Sequence, residues 1–245
     1  MGRKESVVFG IRAALAVAHH RPESIVRVLY EEYRRKDVGP LLKAAAKARR
    51  PYREVETDDL NRQAKSVHHE GVVVVCEPKA TIPFGRYLQS LPDGATIIAL
   101  DNITNPHNQG AILRSLGWFG GSALLVNDPA INVNAAAMRI SQGAGEFIPV
   151  VRTSDLPNAL GHLTKAGIRV VAADQRAERR WSTGHRGGTC FVMGNEADGL
   201  SKAVADACPH RVQIPGTGAV ESLNVSVAAG VFLALNGYAT DSTPT

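Results

Sequence analysis

Three stretches of this chain bring together amide, carboxylate, guanidinium and glycine in a way that could do chemistry. The first reads DNITNPHNQGAILRS, residues 101–115. In it Asn102, Asn105 and Asn108 offer amide donors and acceptors, Gly110 lets backbone approach a ligand, and the planar fork of Arg114 suits a phosphate. The second, MGNEADGLS at 193–201, sets Gly194 beside the carboxylate of Glu196. The third, IPGTGAVESLNVSVA at 214–228, makes a tight irregular loop around Pro215, Gly216 and Gly218, after which Ser222 or Asn224 caps a helix. Taken singly, each has an ordinary structural use. Asn-Pro and Gly-Thr-Gly are turn chemistry, Glu196 and Arg114 are surface charges, and Ser222 and Asn224 are plain caps.

The elements that must position these stretches alternate regularly. Apolar, β-branched runs predict strands at 96–100, 123–126, 169–173, 190–193 and 211–214. Helical patterns lie between them at 109–119, 135–143, 156–166 and 201–208, and a last helix runs from about Leu223 to Tyr238. Strand–helix alternation predicts a mostly parallel α/β sheet covered on both faces, with ligands at the carboxyl ends of its strands. The three chemical stretches fall at such ends. Upstream, residues 7–18 as a short lead-in followed by a helix, a strand at 25–30, a helix at 41–48 and the buried run GVVVVC at 71–76 make a smaller α/β unit. Pro78, Pro83, Gly85, Pro92 and Gly94 then break both periodicities. The expected organisation is a small domain over 1–76, a linker over 77–95 and a larger domain over 96–245, with the tail DSTPT frayed.

Charge separates the two parts. Residues 1–75 hold 15 Lys and Arg against 10 Asp and Glu, whereas the rest of the chain holds 13 of each. The densest basic cluster comprises Arg34, Arg35, Lys36, Lys43, Lys47, Arg49, Arg50 and Arg53, opposed only by Asp37, and attracts a phosphate backbone. Its bland alternative is a solvated helix face. Three cysteines without CxxC spacing argue against a disulfide framework or zinc site and fit a reducing cytoplasm; the scattered histidines point to no metal. No apolar run approaches the roughly 20 residues of a membrane helix, and the basic start MGRKESVVFG lacks the apolar core of a secretory signal.

Together the three stretches resemble the motifs of the SpoU/TrmH RNA 2′-O-ribose methyltransferases of the SPOUT superfamily. The first motif is matched by Asn108, Gly110 and Leu113-Arg114-Ser115, the second by Gly194, Glu196 and Gly199, and the third by Ile214-Pro215, Gly218 and residues 222–226. Order and spacing agree over roughly residues 96–238. SQGAGEFIPVVR, at 141–152, is similar to a further family stretch. VFGIRAALAVA and HHEGVVV resemble the small substrate-binding domain that some members carry, and length and layout are most similar to the type that methylates a guanosine of large-subunit ribosomal RNA. Asn105 stands where many members have Asp, and Gln109 where Leu is common.

The resemblance implies a parallel sheet closed by a trefoil knot, a homodimer through the C-terminal domain, and S-adenosylmethionine bound against Gly194, Ile214 and Leu223. A glycine-rich loop of the Rossmann type is absent, so the cofactor is held in another way. The resemblance also implies a catalytic set of Arg114, Asn108, Glu196, Ser222 and Asn224. It gives Arg114 the base role, but a guanidinium is effectively always protonated, so orienting a phosphate and stabilising alkoxide charge explains the same residue. The cluster Arg34, Arg35, Lys43, Lys47, Arg49, Arg50 and Arg53 is the expected RNA-binding surface. The expected reaction is methyl transfer to a ribose 2′-hydroxyl, with ribosomal RNA the first choice. Transfer RNA, or a non-catalytic RNA-binding role in ribosome assembly, is the alternative.

Overall fold

The computed structural model describes residues 5–127, 133–181 and 187–240, with the side chains of 238–240 left aside; the tail DSTPT lies outside them. The elements in chain order are β1 (Ser6–Phe9), α1 (Ile11–His20), β2 (Ile25–Tyr30), α2 (Gly39–Lys47), β3 (Tyr52–Glu54), α3 (Thr57–Ala64), β4 (Val72–Cys76), β5 (Ile82–Pro83), α4 (Phe84–Gln89) and β6 (Thr96–Leu100). They continue with α5 (Pro106–Trp118), β7 (Ala123–Val126), α6 (Ala135–Ile140), α7 (Ala144–Phe147), β8 (Val150–Arg152), α8 (Leu156–Lys165), β9 (Arg169–Ala173), β10 (Thr189–Met193), α9 (Lys202–Asp206), β11 (His210–Val212) and α10 (Val225–Thr240). They form two compact units. One comprises the chain up to Ala80 together with Val133–Phe147, the other the remainder, so the units are not two consecutive stretches.

The first unit is built on a sheet of order β1-β4-β2-β3. β4 is antiparallel to both β1 and β2, and β3 joins β2 in parallel. Side-chain alternation along β4 explains why its VVVVC run is buried throughout. Val72, Val74 and Cys76 pack with Val17, Leu41 and Ala45 of α1 and α2, while Val73 packs with Phe9, Leu29 and Leu60. Two elements have no apolar pattern in sequence. β3 is an exposed edge strand, and α3 buries only Leu60 while placing Asp58 and Asp59 in its first turn, where the helix dipole favours them. Segment 133–147 is fixed within this unit by a buried ion pair. Arg21 holds both carboxylate oxygens of Glu146 and also donates to the carbonyl of Glu77 (2.5 Å) and to Ser24 Oγ (3.1 Å).

The second unit carries an all-parallel seven-stranded sheet of order β11-β9-β10-β6-β7-β8-β5. Continuous apolar runs such as TCFVM in β10 are buried along their whole length, as a sheet covered on both faces requires. Ala99, Val192 and Val170 face a core shared with Leu156, Leu160, Leu163 and Val204. On the other face Phe232 of α10 stacks on Phe191 of β10 at 5.2 Å. Residues 77–95, expected as a linker, contain β5 and α4. Tyr87 is buried there, with Phe84, Leu88 and Leu91 packed against the same core. The proline and glycine signal was real, but the apolar spacing of FGRYLQSL outweighs it.

Candidate active site

The sheet register sets the site. Leu100 and Met193 are paired at the carboxyl ends of β6 and β10, so the first and second chemical stretches leave the sheet side by side. The backbone N–H of Asp101 donates to the carbonyl of Met193 (2.9 Å), and the buried carboxylate of Asp101 accepts from the backbone of Ser201 (2.6 Å). Asn195 donates to the carbonyl of Asn102 (3.0 Å), while its Oδ1 accepts from the N–H of Ala197 (2.8 Å). Two backbone bonds between Asn195 and Gly199 close the turn, with Gly199 at φ +72°. Asp101 and Asn195 are therefore positioning residues that the sequence reading did not single out. The available signal was their place directly after buried strands.

α5 begins at Asn105, whose Oδ1 accepts from the N–H of His107 (2.9 Å), with Pro106 in the first turn. Its start is three residues earlier than the apolar pattern placed it. Gln109 is buried, and its amide donates to the carbonyl of Ile103 (2.8 Å), which braces the connection from β6. Both departures from the family pattern thus do structural tasks. One turn along, the buried Asn108 donates from Nδ2 to Glu196 Oε1 and accepts at Oδ1 from Asn224 Nδ2 (3.1 Å). Oδ1 of Asn224 accepts from the N–H groups of Ser226 (2.9 Å) and Val227 (3.4 Å), capping α10. One amide from each of two helix starts and one carboxylate form a connected chain across all three stretches.

The other expected site residues stand outside this chain. Arg114 is exposed on α5 and, among the described residues, has no hydrogen-bond or ion-pair partner. Ser222 is exposed and makes no described bond; Asn224, not Ser222, is the cap. Gly194 was expected to admit a ligand. Its missing Cβ instead makes room for the backbone of Gly199 and Leu200, so the glycine is needed by the turn itself. Ile214 is half-buried just beyond β11, and Leu223 is 47% exposed. Gly216 and Gly218 have open space where a Cβ would stand. A half-buried and an exposed aliphatic side chain beside unobstructed backbone suit an adenine face and amide hydrogen bonds, so the residues present fit S-adenosylmethionine.

In the first unit, Lys43, Lys47, Arg49 and Arg53 are exposed, and Arg50 is half-buried. Arg34, also expected in the RNA-binding surface, has partners within the unit. It donates to Asp37 (3.1 Å) and to the carbonyl of Glu70 (3.0 Å), and stacks 4.8 Å over the Tyr33 ring. Arg35 lies 3.9 Å from Glu54, both largely exposed.

Comparison with known proteins agrees with this layout. Residues 95–234 match the SpoU rRNA Methylase family, and residues 7–81 match a family described as RNA 2′-O ribose methyltransferase substrate binding. The chain is 33% identical to the 23S rRNA (guanosine-2′-O-)-methyltransferase RlmB of Bordetella pertussis, over 93% of this chain and 94% of that one. It is also 33% identical to the RlmB of Neisseria meningitidis, with 92% of each covered. A solved structure of the SpoU methyltransferase AviRb from Streptomyces viridochromogenes, in complex with AdoMet, is similar with a TM-score of 0.79. Identity there is 25%, covering 96% of this chain and 90% of that one. The matched family, the parallel sheet and the three loops gathered at its carboxyl edge agree: this chain belongs to the SpoU family of S-adenosylmethionine-dependent RNA 2′-O-ribose methyltransferases.

Proposed function

We propose that the chain methylates the ribose 2′-hydroxyl of a guanosine in large-subunit ribosomal RNA, as the names of its RlmB relatives state for those proteins. The observation that carries the reading is the Asn108–Glu196–Asn224 chain, which joins all three family motifs at one edge of the sheet. S-adenosylmethionine supplies an electrophilic methyl carbon, already activated by its sulfonium. With the cofactor bound, the 2′-oxygen would take the methyl group, the cofactor would depart as its neutral thioether, and the hydroxyl proton would pass to solvent while Arg114 stabilises the charge left on the oxygen. The residues therefore have to align an oxygen and ease the loss of its proton.

In this proposal Gly216, Gly218, Ile214 and Leu223 bind the cofactor, with Gly194 shaping the turn beside it. Asn108, Glu196 and Asn224 hold the loops in register. Arg114, exposed and unpaired among the described residues, takes an RNA phosphate bidentately and stabilises developing alkoxide charge. Ser222 stands free to meet the substrate ribose. Lys43, Lys47, Arg49, Arg50 and Arg53 recruit RNA, and Arg34 and Arg35 support that surface. The proposal includes a homodimer through the second unit, supported by exposed Trp118, Val227 and Leu235 on α5 and α10. The proposed location is the cytoplasm, which the three free buried cysteines suit. No helix among the described residues is long and apolar enough to cross a membrane.

Isothermal titration of the full chain with S-adenosylmethionine, followed by mapping of 2′-O-methyl sites in ribosomal RNA from cells with and without the gene, tests the reading. Binding together with the loss of one guanosine methylation is the expected result. A folded chain that gives no cofactor heat would overturn it.

A further inference from the structure

The second unit has no net charge in sequence, yet its fold displays one concentrated basic edge. The chain leaving β9 reads DQRAERRW, residues 174–181. It emerges at the carboxyl edge of the sheet, between β10, which leads to Glu196, and β11, which leads to Ile214. Arg176, Arg179 and Arg180 are all exposed. Among the described residues, none of their guanidinium groups has a hydrogen-bond or ion-pair partner. The acidic residues nearby do not neutralise the run. Asp174 is committed to its own turn, its Oδ1 accepting from the N–H of Arg176 (2.9 Å), and lies 3.9 Å from Arg211; Glu178 is one exposed carboxylate against three arginines.

The run is also held in place. The N–H of Asp174 donates to Val212 (3.0 Å), and the N–H of Gln213 donates to the carbonyl of Arg179 (2.8 Å). Arg180 forms a parallel bridge with Gln213, the residue before Ile214. Trp181 closes the segment, edge-on to Phe191 at 4.8 Å and covered by the Arg169 guanidinium at 4.8 Å. Three like charges, unpaired among the described residues and carried on a fixed backbone, repel one another until a polyanion arrives, and each planar fork matches a phosphate.

We infer that Arg176, Arg179 and Arg180 form a second phosphate-binding surface, on the methyltransferase unit, that holds the RNA backbone beside the proposed cofactor strand end. This rests on the RNA methyltransferase reading and adds an RNA contact separate from the basic cluster of the first unit. It accounts for why the arginines are kept in a segment pinned to β11, where a solvated loop would leave them to swing freely.

The test replaces all three by Gln in the full chain and measures binding to an unmodified large-subunit ribosomal RNA transcript across a salt series. S-adenosylmethionine titration and circular dichroism report on the fold. Affinity at about 0.1 M salt should fall roughly tenfold or more, and the slope of log affinity against log salt should flatten by about two, since each lost phosphate contact removes ~0.7–0.9. The KM for RNA should rise more than kcat falls. Triple replacement by Lys should restore most of the slope, because charge sets counterion release. Wild-type binding with an unchanged Gln variant overturns this inference alone and leaves the run to an acidic protein partner. A wild-type chain that binds no RNA overturns the methyltransferase reading and this inference with it.

Discussion

Asn224 uses both ends of its amide: Oδ1 caps α10 through Ser226 and Val227, and Nδ2 donates to Asn108 Oδ1 at 3.1 Å on the first turns of α5. The two longest helices of the second unit, α5 and α10, therefore start from one bond, and the remaining donor of Asn108 reaches Glu196.

Asn224→Ala should remove a cap worth about 1 kcal/mol and leave the buried Asn108 Oδ1 without a donor. A lowered Tm and a raised dissociation constant for S-adenosylmethionine are expected. Asn224→Asp separates the two tasks. It keeps the capping acceptor at a helix start that favours negative charge, but it cannot donate to Asn108 and sets a second carboxylate near Glu196. It should retain most of the Tm and still lose cofactor affinity. Calorimetry and titration on both variants check this; equal cofactor affinity in all three proteins would refute it.

Arg114 stands outside the Asn108–Glu196–Asn224 chain, exposed on α5. Arg114→Ala should leave cofactor affinity nearly intact and cut methyl transfer by about a hundredfold or more. Arg114→Lys should rescue little, since the ammonium lacks the planar fork. Single-turnover methylation is the measurement. A near wild-type rate in Arg114→Ala would refute its role in holding the phosphate and stabilising the alkoxide charge.

Replacing Arg49, Arg50 and Arg53 by Ala should weaken RNA binding and flatten its salt dependence while leaving cofactor binding alone. Arg50 is half-buried, so its removal should also cost some stability through lost packing, which Arg49 and Arg53 should not. Single variants studied by filter binding and thermal melting distinguish the two contributions. An unchanged salt slope in the triple variant removes the cluster from the RNA surface.

Lys79 donates to the carbonyl of Gly145 (2.5 Å), and burial pulls its amine down to about 8 despite the attraction of Glu146. In the folded state it releases its proton before it would in the unfolded chain. Between about pH 8 and its ordinary 10.5 the unfolded state binds more protons, so the contribution of this group to stability rises with pH across that window. Wild type should therefore gain stability relative to Lys79→Met from pH 8 upward, with a constant difference below. Urea unfolding at a series of pH values gives the difference, and a flat profile would contradict the assignment.

The dimer proposal predicts that Val227→Glu with Leu235→Glu, both on the open side of α10, yields a monomer in sedimentation while wild type sediments as a dimer. A wild-type monomer at micromolar concentration would defeat it.

Much of this protein was determined by sequence alone. The strands 96–100, 123–126 and 169–173 were legible to the residue, because a strand buried on both faces must be apolar along its whole length, and that demand is local. The three motifs were legible because their residue types and order survive without knowledge of the fold. Tertiary structure decided the rest. β3 and α3 are held by neighbours and not by an apolar rhythm, and Val133–Phe147 packs in the first unit through the Arg21–Glu146 pair, 125 residues apart in the chain. Asn108 meets Glu196 across 88 residues and Asn224 across 116. Gly194 proved to serve its own turn. Which polar groups meet depends on strand order and register, here the pairing of Leu100 with Met193, and those are set by how whole elements bury their faces against one another.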